Sequence, residues 1–311
     1  MKVSLVATVC NAEPFVQEFL DSVRAQTRPP DEVVVVDGGS TDGTYQILRA
    51  AQDVTAISET GANIARGRNL AIKAATHDVI AVSDADCILA TDWLERILQP
   101  LERGADVSAG FYRPLIRSFL ETCAAAVSLP EPEELHPGWL PSARSVAFRR
   151  EAFDAGGGYP EWLDVGEDMY LNHRWVEAGL RIERAQDAIT YWRIRPTLAQ
   201  TWHQYSRYAE GDGRAGMYGR RHAIRFLTYG ALVGVAATRW EPFVAAAAVS
   251  GAVYAARPVA RAWRRLSGEP GKRAAALVAI PAMMAFIDAA KMTGYVRGRL
   301  GRAQGLQTEQ T

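Results

Sequence analysis

The chain has 311 residues with 35 basic and 35 acidic side chains, so its formal net charge is zero at pH 7. This balance excludes a general electrostatic attraction to nucleic acid, and we expect no nucleic-acid partner. The length allows one large domain or two smaller ones. Three cysteines without a C-x-x-C pair predict reduced thiols and a cytoplasmic catalytic part. The first residues enter an apolar run that soon ends, which predicts no signal peptide.

Apolar runs alternate with amphipathic segments along the first third of the chain. Residues 2–9, 32–36 and 79–82 are rich in Val, which is typical of strands buried on both faces. The segment after the first run carries Phe15 and Phe19 at helical spacing. The alternation predicts an α/β fold with a mostly parallel sheet and helices on both of its faces.

Two carboxylates, Asp84 and Asp86, follow the run at 79–82 with only Ala85 between them. They stand where the strand should end, which is the edge at which open α/β sheets bind ligands. Paired oxygen ligands suit a hard divalent cation that also holds phosphates, either Mg²⁺ or Mn²⁺. For an isolated Asp-x-Asp, the alternative is a solvated acidic turn after a strand.

Four short motifs follow one another on the expected strand ends and helix starts. They are the loop at 36–44, the basic helix start at 65–69, Asp84-Ala85-Asp86 and Gly166-Glu167-Asp168. In this order they resemble the family 2 glycosyltransferases, and the likeness covers roughly residues 2–210. The resemblance implies the GT-A (nucleotide-diphospho-sugar transferase) fold. The segment at 195–208, followed by apolar helices, is similar to the membrane-associated exopolysaccharide branch of that family, the succinoglycan type.

The resemblance implies a donor site for a nucleotide sugar, either a UDP- or a GDP-sugar. Asp86 would be the direct metal ligand, and Asp84 would contact the ribose or a metal-bound water. The departing diphosphate builds up negative charge, which a bound divalent cation neutralises. We therefore expect transfer to depend on Mn²⁺ or Mg²⁺.

Four further residues are expected around the donor by the same resemblance. Asp37 would accept a hydrogen bond from the edge of uracil or a similar base. Thr8 would line the same pocket, with Glu13 nearby, although ordinary strand packing is the alternative for Thr8. Arg68 is expected to contact the diphosphate because a guanidinium binds phosphate oxygens at two points.

The acceptor hydroxyl must lose its proton as it attacks, and a carboxylate near the anomeric carbon serves as general base. Asp168 fits that role, with Glu167 beside it at a helix start whose free N–H groups favour negative charge. We expect a single displacement that inverts the anomeric configuration. Arg174 is expected to orient Asp168 or to contact phosphate. Trp139 is expected to stack on an acceptor sugar, with a core or loop role as the alternative.

Gln204 and Arg207 belong to the run Gln204-Tyr205-Ser206-Arg207-Tyr208. Processive polysaccharide synthases carry Gln-x-x-Arg-Trp there, so Tyr208 departs from their pattern. The sequence also lacks long spans for a translocation channel, which favours addition of one sugar. The alternatives are a processive synthase and a catalytically silent, membrane-anchored nucleotide-sugar-binding protein. A dinucleotide reductase is excluded because no Gly-x-Gly-x-x-Gly follows the first strand.

The last third contains three apolar runs, at 224–237, 243–256 and 274–289. Each is shorter than the roughly 20 residues of a straight membrane span. Basic residues flank the first two, which predicts a membrane-entering hairpin with both ends on the cytoplasmic side. The third run is expected to lie in the membrane interface. The alternative is that all three pack as soluble helices.

These expectations divide the chain into a catalytic domain at 1–215, an apolar and basic membrane-associating region at 216–305 and a flexible tail at 306–311. We expect an inverting, metal-dependent glycosyltransferase that moves a sugar from a nucleotide-diphosphate donor to a hydroxyl of a glycan or lipid-linked acceptor. Its expected location is the cytoplasmic side of the plasma membrane, in the synthesis of cell-surface polysaccharide.

Overall fold

The computed structural model describes residues 1–136, 138–238 and 241–308. Its contacts divide the chain into two compact units. The first unit comprises Met1–Leu115 and Glu131–Arg193, and the second comprises Ile116–Pro130 and Ile194–Thr311. This division assigns residues 116–130 and 194–215 to the helical second unit. The functional extent of the catalytic segment 1–215 stays a prediction.

The described part of the first unit is built on an eight-stranded sheet. Its strands are β1 (Val3–Val9), β2 (Glu32–Asp37), β3 (Thr55–Ser58), β4 (Val79–Val82), β5 (Cys87–Leu89), β6 (Val107–Leu115), β7 (Val146–Arg149) and β8 (Ile182–Arg193). They lie in the order β3-β2-β1-β4-β7-β6-β8-β5. The first four of that order run parallel, and β6 pairs parallel with β8. Strand β7 is antiparallel to both β4 and β6, and β5 is antiparallel to β8.

Helices cover both faces of this sheet. The helices up to residue 177 are α1 (Glu13–Arg24), α2 (Thr44–Ala50), α3 (Ile64–Ala74), α4 (Trp93–Glu102), α5 (Phe119–Ser128, in the second unit), α6 (Arg150–Gly156) and α7 (Glu167–Glu177). Because successive strand residues point to opposite faces, Leu5 lies in the core with Phe19 and Trp93, whereas Val6 lies in the core with Phe148. Two cores on a mostly parallel sheet confirm the predicted fold class.

Four helices make up most of the second unit: α8 (Leu198–Ala215), α9 (Gly219–Thr238), α10 (Glu241–Arg265) and α11 (Pro270–Thr308). Helices α8 and α11 cross with their backbones in contact. A Cβ at Gly294 would lie 1.9 Å from the Ser206 carbonyl oxygen, and one at Gly298 would lie 2.1 Å from that of Glu210. Only glycine permits this approach.

The apolar helices differ from the sequence expectation. Within the described residues, one helix is long and apolar enough to cross a membrane, the segment Pro270–Ala303. The sequence favoured the first two runs as the membrane-entering pair and placed the third at the interface, whereas by length and composition the candidate span lies in α11. The reason is that Arg220, Arg221 and Arg225 lie inside α9, while α10 is rich in Ala and carries further Arg residues. How these helices meet a membrane stays a prediction. Helix α11 extends to Thr308, into the predicted tail, whose residues 309–311 lie outside the described part.

Candidate functional site

Polar side chains gather at the carboxyl edge of the parallel strands. Strand β1 is flanked by β2 and β4, and Val9 at its end pairs with Asp37. Asp84 follows the end of β4 at Val82. Because parallel strands end at one edge of a sheet, Asp37 and Asp84 share that edge with Thr8.

The buried guanidinium of Arg68 joins two of the predicted motifs. Arg68 lies on α3 and is 3% exposed. One terminal nitrogen binds the Glu167 carboxylate, and the other donates to Asp84 Oδ1 at 2.6 Å. The guanidinium carbon also lies 5.4 Å from the centre of the Tyr159 ring. The strand-end carboxylate and the helix-start carboxylate are therefore held by one cation.

Burial and neighbouring charges shift the pKa values of Arg68 and Glu167 in opposite directions. Burial alone would lower the pKa of Arg68, but the negative charges of Asp84 and Glu167 raise it, so the guanidinium stays charged. Burial raises the pKa of Glu167 to about 7, the positive charge of Arg68 opposes this, and the negative charge of Asp168 adds to it. Burial also raises the pKa of Tyr159, which keeps its phenol neutral.

A second guanidinium, that of Arg144, lies on the other oxygen of Asp84. Its Nε is 3.7 Å from Asp84 Oδ2, and its Nη1 donates to Ser142 Oγ at 3.0 Å. It also stacks over the Trp192 ring, 4.4 Å from the ring centre. Asp84 therefore contacts a guanidinium on each of its two carboxylate oxygens.

Asp168 is the second residue of α7 and is partly exposed. Its Oδ1 accepts from the Met169 N–H at 2.8 Å. Its Oδ2 accepts from the Ala143 N–H at 3.2 Å and from the Ser142 hydroxyl at 3.4 Å. These donors orient the carboxylate, and the segment that supplies two of them also carries Arg144.

Asp86 is fixed through its main chain. Arg193 Nη1 donates to the Asp86 carbonyl oxygen at 2.9 Å, and its Nη2 forms an ion pair with Glu18 on α1. The Cys87 thiol lies 3.6 Å from Asp86 Oδ1. Burial raises the pKa of Cys87, and the charges of Asp86 and Asp84 raise it further, so Cys87 stays a thiol beside the carboxylate.

The carboxylates of Asp84 and Asp86 suit a hard divalent cation whose remaining ligands are water and phosphate oxygens. Within the described residues, no group of three or more His, Cys, Asp or Glu side chains is arranged to hold a metal ion. Mg²⁺ is typically held by one or two carboxylates, with water and substrate phosphates completing its shell. Asp86 and Asp84 fit this donor set, although Asp84 is also bound by Arg68.

Comparison with known proteins agrees with this geometry. Residues 4–118 match the model of the family described as "Glycosyl transferase family 2". The chain is 28% identical to glycosyltransferase AglE of Haloferax volcanii, over 62% of this chain and 67% of that protein. It is also 28% identical to succinoglycan biosynthesis protein ExoA of Rhizobium meliloti, over 71% and 72% of the two chains.

Among solved structures, the chain resembles mannosyltransferase PcManGT of Pyrobaculum calidifontis, determined with GDP-Man and Mn²⁺. The TM-score is 0.60 at 22% identity, over 94% of this chain and 86% of that one, which shows a shared fold. The chain carries a family 2 glycosyltransferase domain at residues 4–118. The resemblance stated from the four motifs is thereby confirmed.

The donor-side residues of this glycosyltransferase shape the loops at the sheet edge. Thr8 Oγ1 donates to the Val36 carbonyl at 3.2 Å. The Asp37 carboxylate is buried and accepts from the N–H groups of Gly39 and Ser40, at 3.0 and 2.9 Å. Glu13 is exposed and accepts from the Gly43 N–H at 3.0 Å. The Ser40 hydroxyl donates to Asp37 Oδ1 as well, so about one of the roughly four lone-pair positions of the carboxylate is left to accept from a base. The predicted donor roles of these residues stay predictions.

Four residues were predicted for the acceptor side of this glycosyltransferase, and three of them have partners outside the cluster around Asp84 and Asp168. Arg174 is half-exposed and lies 3.8 Å from Glu177. In the second unit, Gln204 donates to the Tyr208 hydroxyl at 3.0 Å, and Arg207 is exposed. Trp139, also predicted there, packs against Phe111 with ring centres 5.8 Å apart. The roles of all four stay predictions.

Sequence reasoning missed the contacts of Arg144 and Arg193. Arg144 precedes β7, and Arg193 lies at the end of β8. Nothing in the local pattern distinguishes them from surface arginines, because their partners lie far away in sequence. Arg68 was predicted to contact the diphosphate. In the structure its terminal nitrogens bind Glu167 and Asp84, so that role would require one of these contacts to break.

We predict that Arg68→Met lowers the free energy of unfolding by roughly 3–5 kcal/mol, because it leaves the buried Glu167 and the partly exposed Asp84 without their cation. Arg66→Met on the same helix is the control, since Arg66 is half-exposed and pairs with Glu59. Exposed pairs contribute about 0–1 kcal/mol. Denaturant titration of both variants checks this, and equal losses would contradict the central role of Arg68.

We also predict a pH-dependent stability from Glu167. Its folded-state pKa of about 7 exceeds the ordinary value of about 4.3. The folded state therefore binds the proton more tightly than the unfolded chain, and stability falls as pH rises between these values. Between pH 5 and 8 the free energy of unfolding of the wild type should fall by on the order of 1–3 kcal/mol more than that of Glu167→Gln. Glu177→Gln, an exposed position on the same helix, should keep the wild-type slope. A wild-type slope in Glu167→Gln would refute this.

Proposed function

We propose that the enzyme transfers one sugar from a UDP- or GDP-sugar to a hydroxyl of a glycan or lipid-linked acceptor, with inversion and with Mn²⁺ or Mg²⁺. One observation carries the proposal. The pair Asp84 and Asp86 lies at the same site as the pair Glu167 and Asp168, linked through Arg68. A leaving-group centre and a base centre side by side are what a single displacement requires.

On the donor side, Asp86 would hold the cation, and Asp84 would contact it through water or bind the ribose. The cation, when bound, supplies positive charge that stabilises the departing diphosphate. Asp37 and Thr8 would line the base pocket, with Glu13 bracing the neighbouring loop. The mannosyltransferase with a similar fold was solved with GDP-Man and Mn²⁺, which supports a GDP-sugar and Mn²⁺ as first candidates here.

On the acceptor side, Asp168 would take the proton of the attacking hydroxyl. The hydroxyl oxygen then forms a bond to the anomeric carbon as the bond from that carbon to the β-phosphate oxygen breaks. The electron pair leaves with the nucleoside diphosphate, and the configuration at the carbon inverts. Hydrogen bonds from Met169, Ala143 and Ser142 hold Asp168 for this step.

The cellular role is proposed from the relatives. A succinoglycan biosynthesis protein and an O-antigen chain rhamnosyltransferase are among them, which supports a role in cell-surface polysaccharide. Single addition is favoured over processive synthesis because Tyr208 replaces the Trp of the processive pattern. A silent nucleotide-sugar-binding protein is the second alternative, and turnover distinguishes it.

We propose that the second unit contacts the cytoplasmic face of the plasma membrane. Large apolar side chains on α9, α10 and α11 are strongly exposed, including Leu227 at 72%, Val253 at 71% and Val278 at 75%. Scattered exposed apolar residues are ordinary, but so many on one helical unit mark an interaction surface. Exposed Arg221 and Arg257 on these helices suit anionic lipid.

We predict that Asp168→Asn abolishes sugar transfer while nucleoside diphosphate binding with Mn²⁺ stays within about threefold of wild type. The amide keeps the size of the carboxylate but cannot take the proton. Asp86→Asn should instead weaken Mn²⁺-dependent nucleotide binding. Product formation and calorimetry across UDP- and GDP-sugars check this. If Asp168→Asn retains turnover, Asp168 is not the general base. If the wild type binds nucleotide sugars without transferring sugar, the chain is the catalytically silent nucleotide-sugar-binding protein.

We predict that the double change Val253→Asp and Val278→Asp lowers co-flotation with anionic phosphatidylglycerol vesicles more than tenfold. An Asp at a lipid-facing position costs roughly 3 kcal/mol. Val176→Asp is the control, because Val176 is an exposed Val on the first unit, at 53%. Equal flotation of the wild type and the double variant would reject this surface as the membrane contact.

A further inference from the structure

The two arginines on Asp84 differ in what they are able to do. Arg68 has a side-chain exposure of 3%, and its two terminal nitrogens bind Glu167 and Asp84. Arg144 has a side-chain exposure of 16% and meets Asp84 at a longer 3.7 Å. A contact of that length, on a partly exposed carboxylate, is a weaker constraint than the buried pair of Arg68.

The plane of the Arg144 guanidinium is set by aromatic rings. Its central carbon lies 4.4 Å from the centre of the Trp192 ring and 5.6 Å from that of Tyr112. Ser142 Oγ accepts from its Nη1 at 3.0 Å. Stacking and the hydrogen bond to Ser142 hold the group in place beside Asp84, where the leaving diphosphate is proposed to lie. A planar guanidinium with fixed orientation is the side chain best suited to bind two phosphate oxygens at once.

We propose that Arg144, rather than Arg68, is the arginine that binds the diphosphate of the donor and of the leaving nucleotide. This inference rests on the proposed function. As the bond between the anomeric carbon and the β-phosphate oxygen breaks, the electron pair moves onto that oxygen. The guanidinium of Arg144 donates hydrogen bonds to the diphosphate oxygens and so stabilises the charge that develops there.

The same arginine reaches the base through one side chain. Ser142 Oγ accepts from Arg144 Nη1 and donates to Asp168 Oδ2. Ser142 is thus a positioning residue between the arginine that binds the leaving group and the carboxylate that takes the proton. Its loss should affect the chemical step and leave diphosphate binding nearly unchanged.

Calorimetric binding of UDP and GDP, with Mn²⁺ held constant, tests the assignment. Arg144→Gln should weaken binding of the better diphosphate roughly 10- to 100-fold, as expected for a lost charged hydrogen bond. The corresponding nucleoside, which has no phosphate, should bind as to wild type. Arg144→Lys should restore part of the affinity, since it keeps the charge and loses the two-point geometry. The control is Arg103→Gln, an exposed arginine that pairs with Glu183, and it should bind as wild type.

Three outcomes would overturn the inference. One is unchanged diphosphate affinity in Arg144→Gln. Another is an equal loss of nucleoside and diphosphate binding, which would indicate a general distortion. The third is a loss of diphosphate binding in Ser142→Ala as large as in Arg144→Gln. Thermal midpoints of the ligand-free variants identify misfolding. If Arg144→Gln is misfolded, the diphosphate affinity of Arg144→Lys relative to that of the wild type decides the assignment. If the wild type bound diphosphate without transferring sugar, the proposed function would fail while the assignment of Arg144 stood.

Discussion

The buried positive charge of Arg68 is the constraint on which the site depends. A guanidinium out of water costs several kcal/mol unless carboxylates compensate it with good geometry. Here the end of β4 supplies Asp84 and the start of α7 supplies Glu167. These two segments are far apart in the chain, so neither compensates Arg68 until the sheet and its helices have assembled. Folding of the first unit and assembly of the site are therefore coupled.

The same constraint sets the charge of the site. Asp84 and Glu167 bind Arg68, Asp84 also meets Arg144, Asp168 reaches Arg144 through Ser142, and Asp86 stands two residues after Asp84. Four carboxylates therefore share the site with these two guanidinium groups. When Glu167 is ionised, the cluster carries an excess of negative charge. A divalent cation would remove that excess, and it would also allow the negative diphosphate to approach. A site with this balance should bind the nucleotide poorly without a cation, in agreement with the proposed metal dependence.

The sequence was informative where a pattern is local. The Val-rich strands, Asp84-Ala85-Asp86 and Gly166-Glu167-Asp168 are each readable from neighbouring residues, and the family and the fold followed from them. What local patterns do not contain depends on distant partners. They did not predict the buried contact of Arg68 with Glu167, nor that α11 is the described helix long and apolar enough to cross a membrane. Pairing across the fold and the full length of a helix are tertiary properties that local composition does not determine.

Glu167 and Asp168 show how two adjacent carboxylates acquire different tasks. Successive helix residues point about 100° apart, so one side chain enters the core while its neighbour faces the sheet edge. Glu167 is 4% exposed, bound to Arg68 and raised in pKa by burial. Asp168 is partly exposed and accepts from groups on both sides. A proton acceptor must reach the substrate, and Glu167 is enclosed by the cation that it binds. Of the two, Asp168 is therefore the proposed base, and Glu167 holds Arg68, which also binds Asp84 at the leaving-group centre.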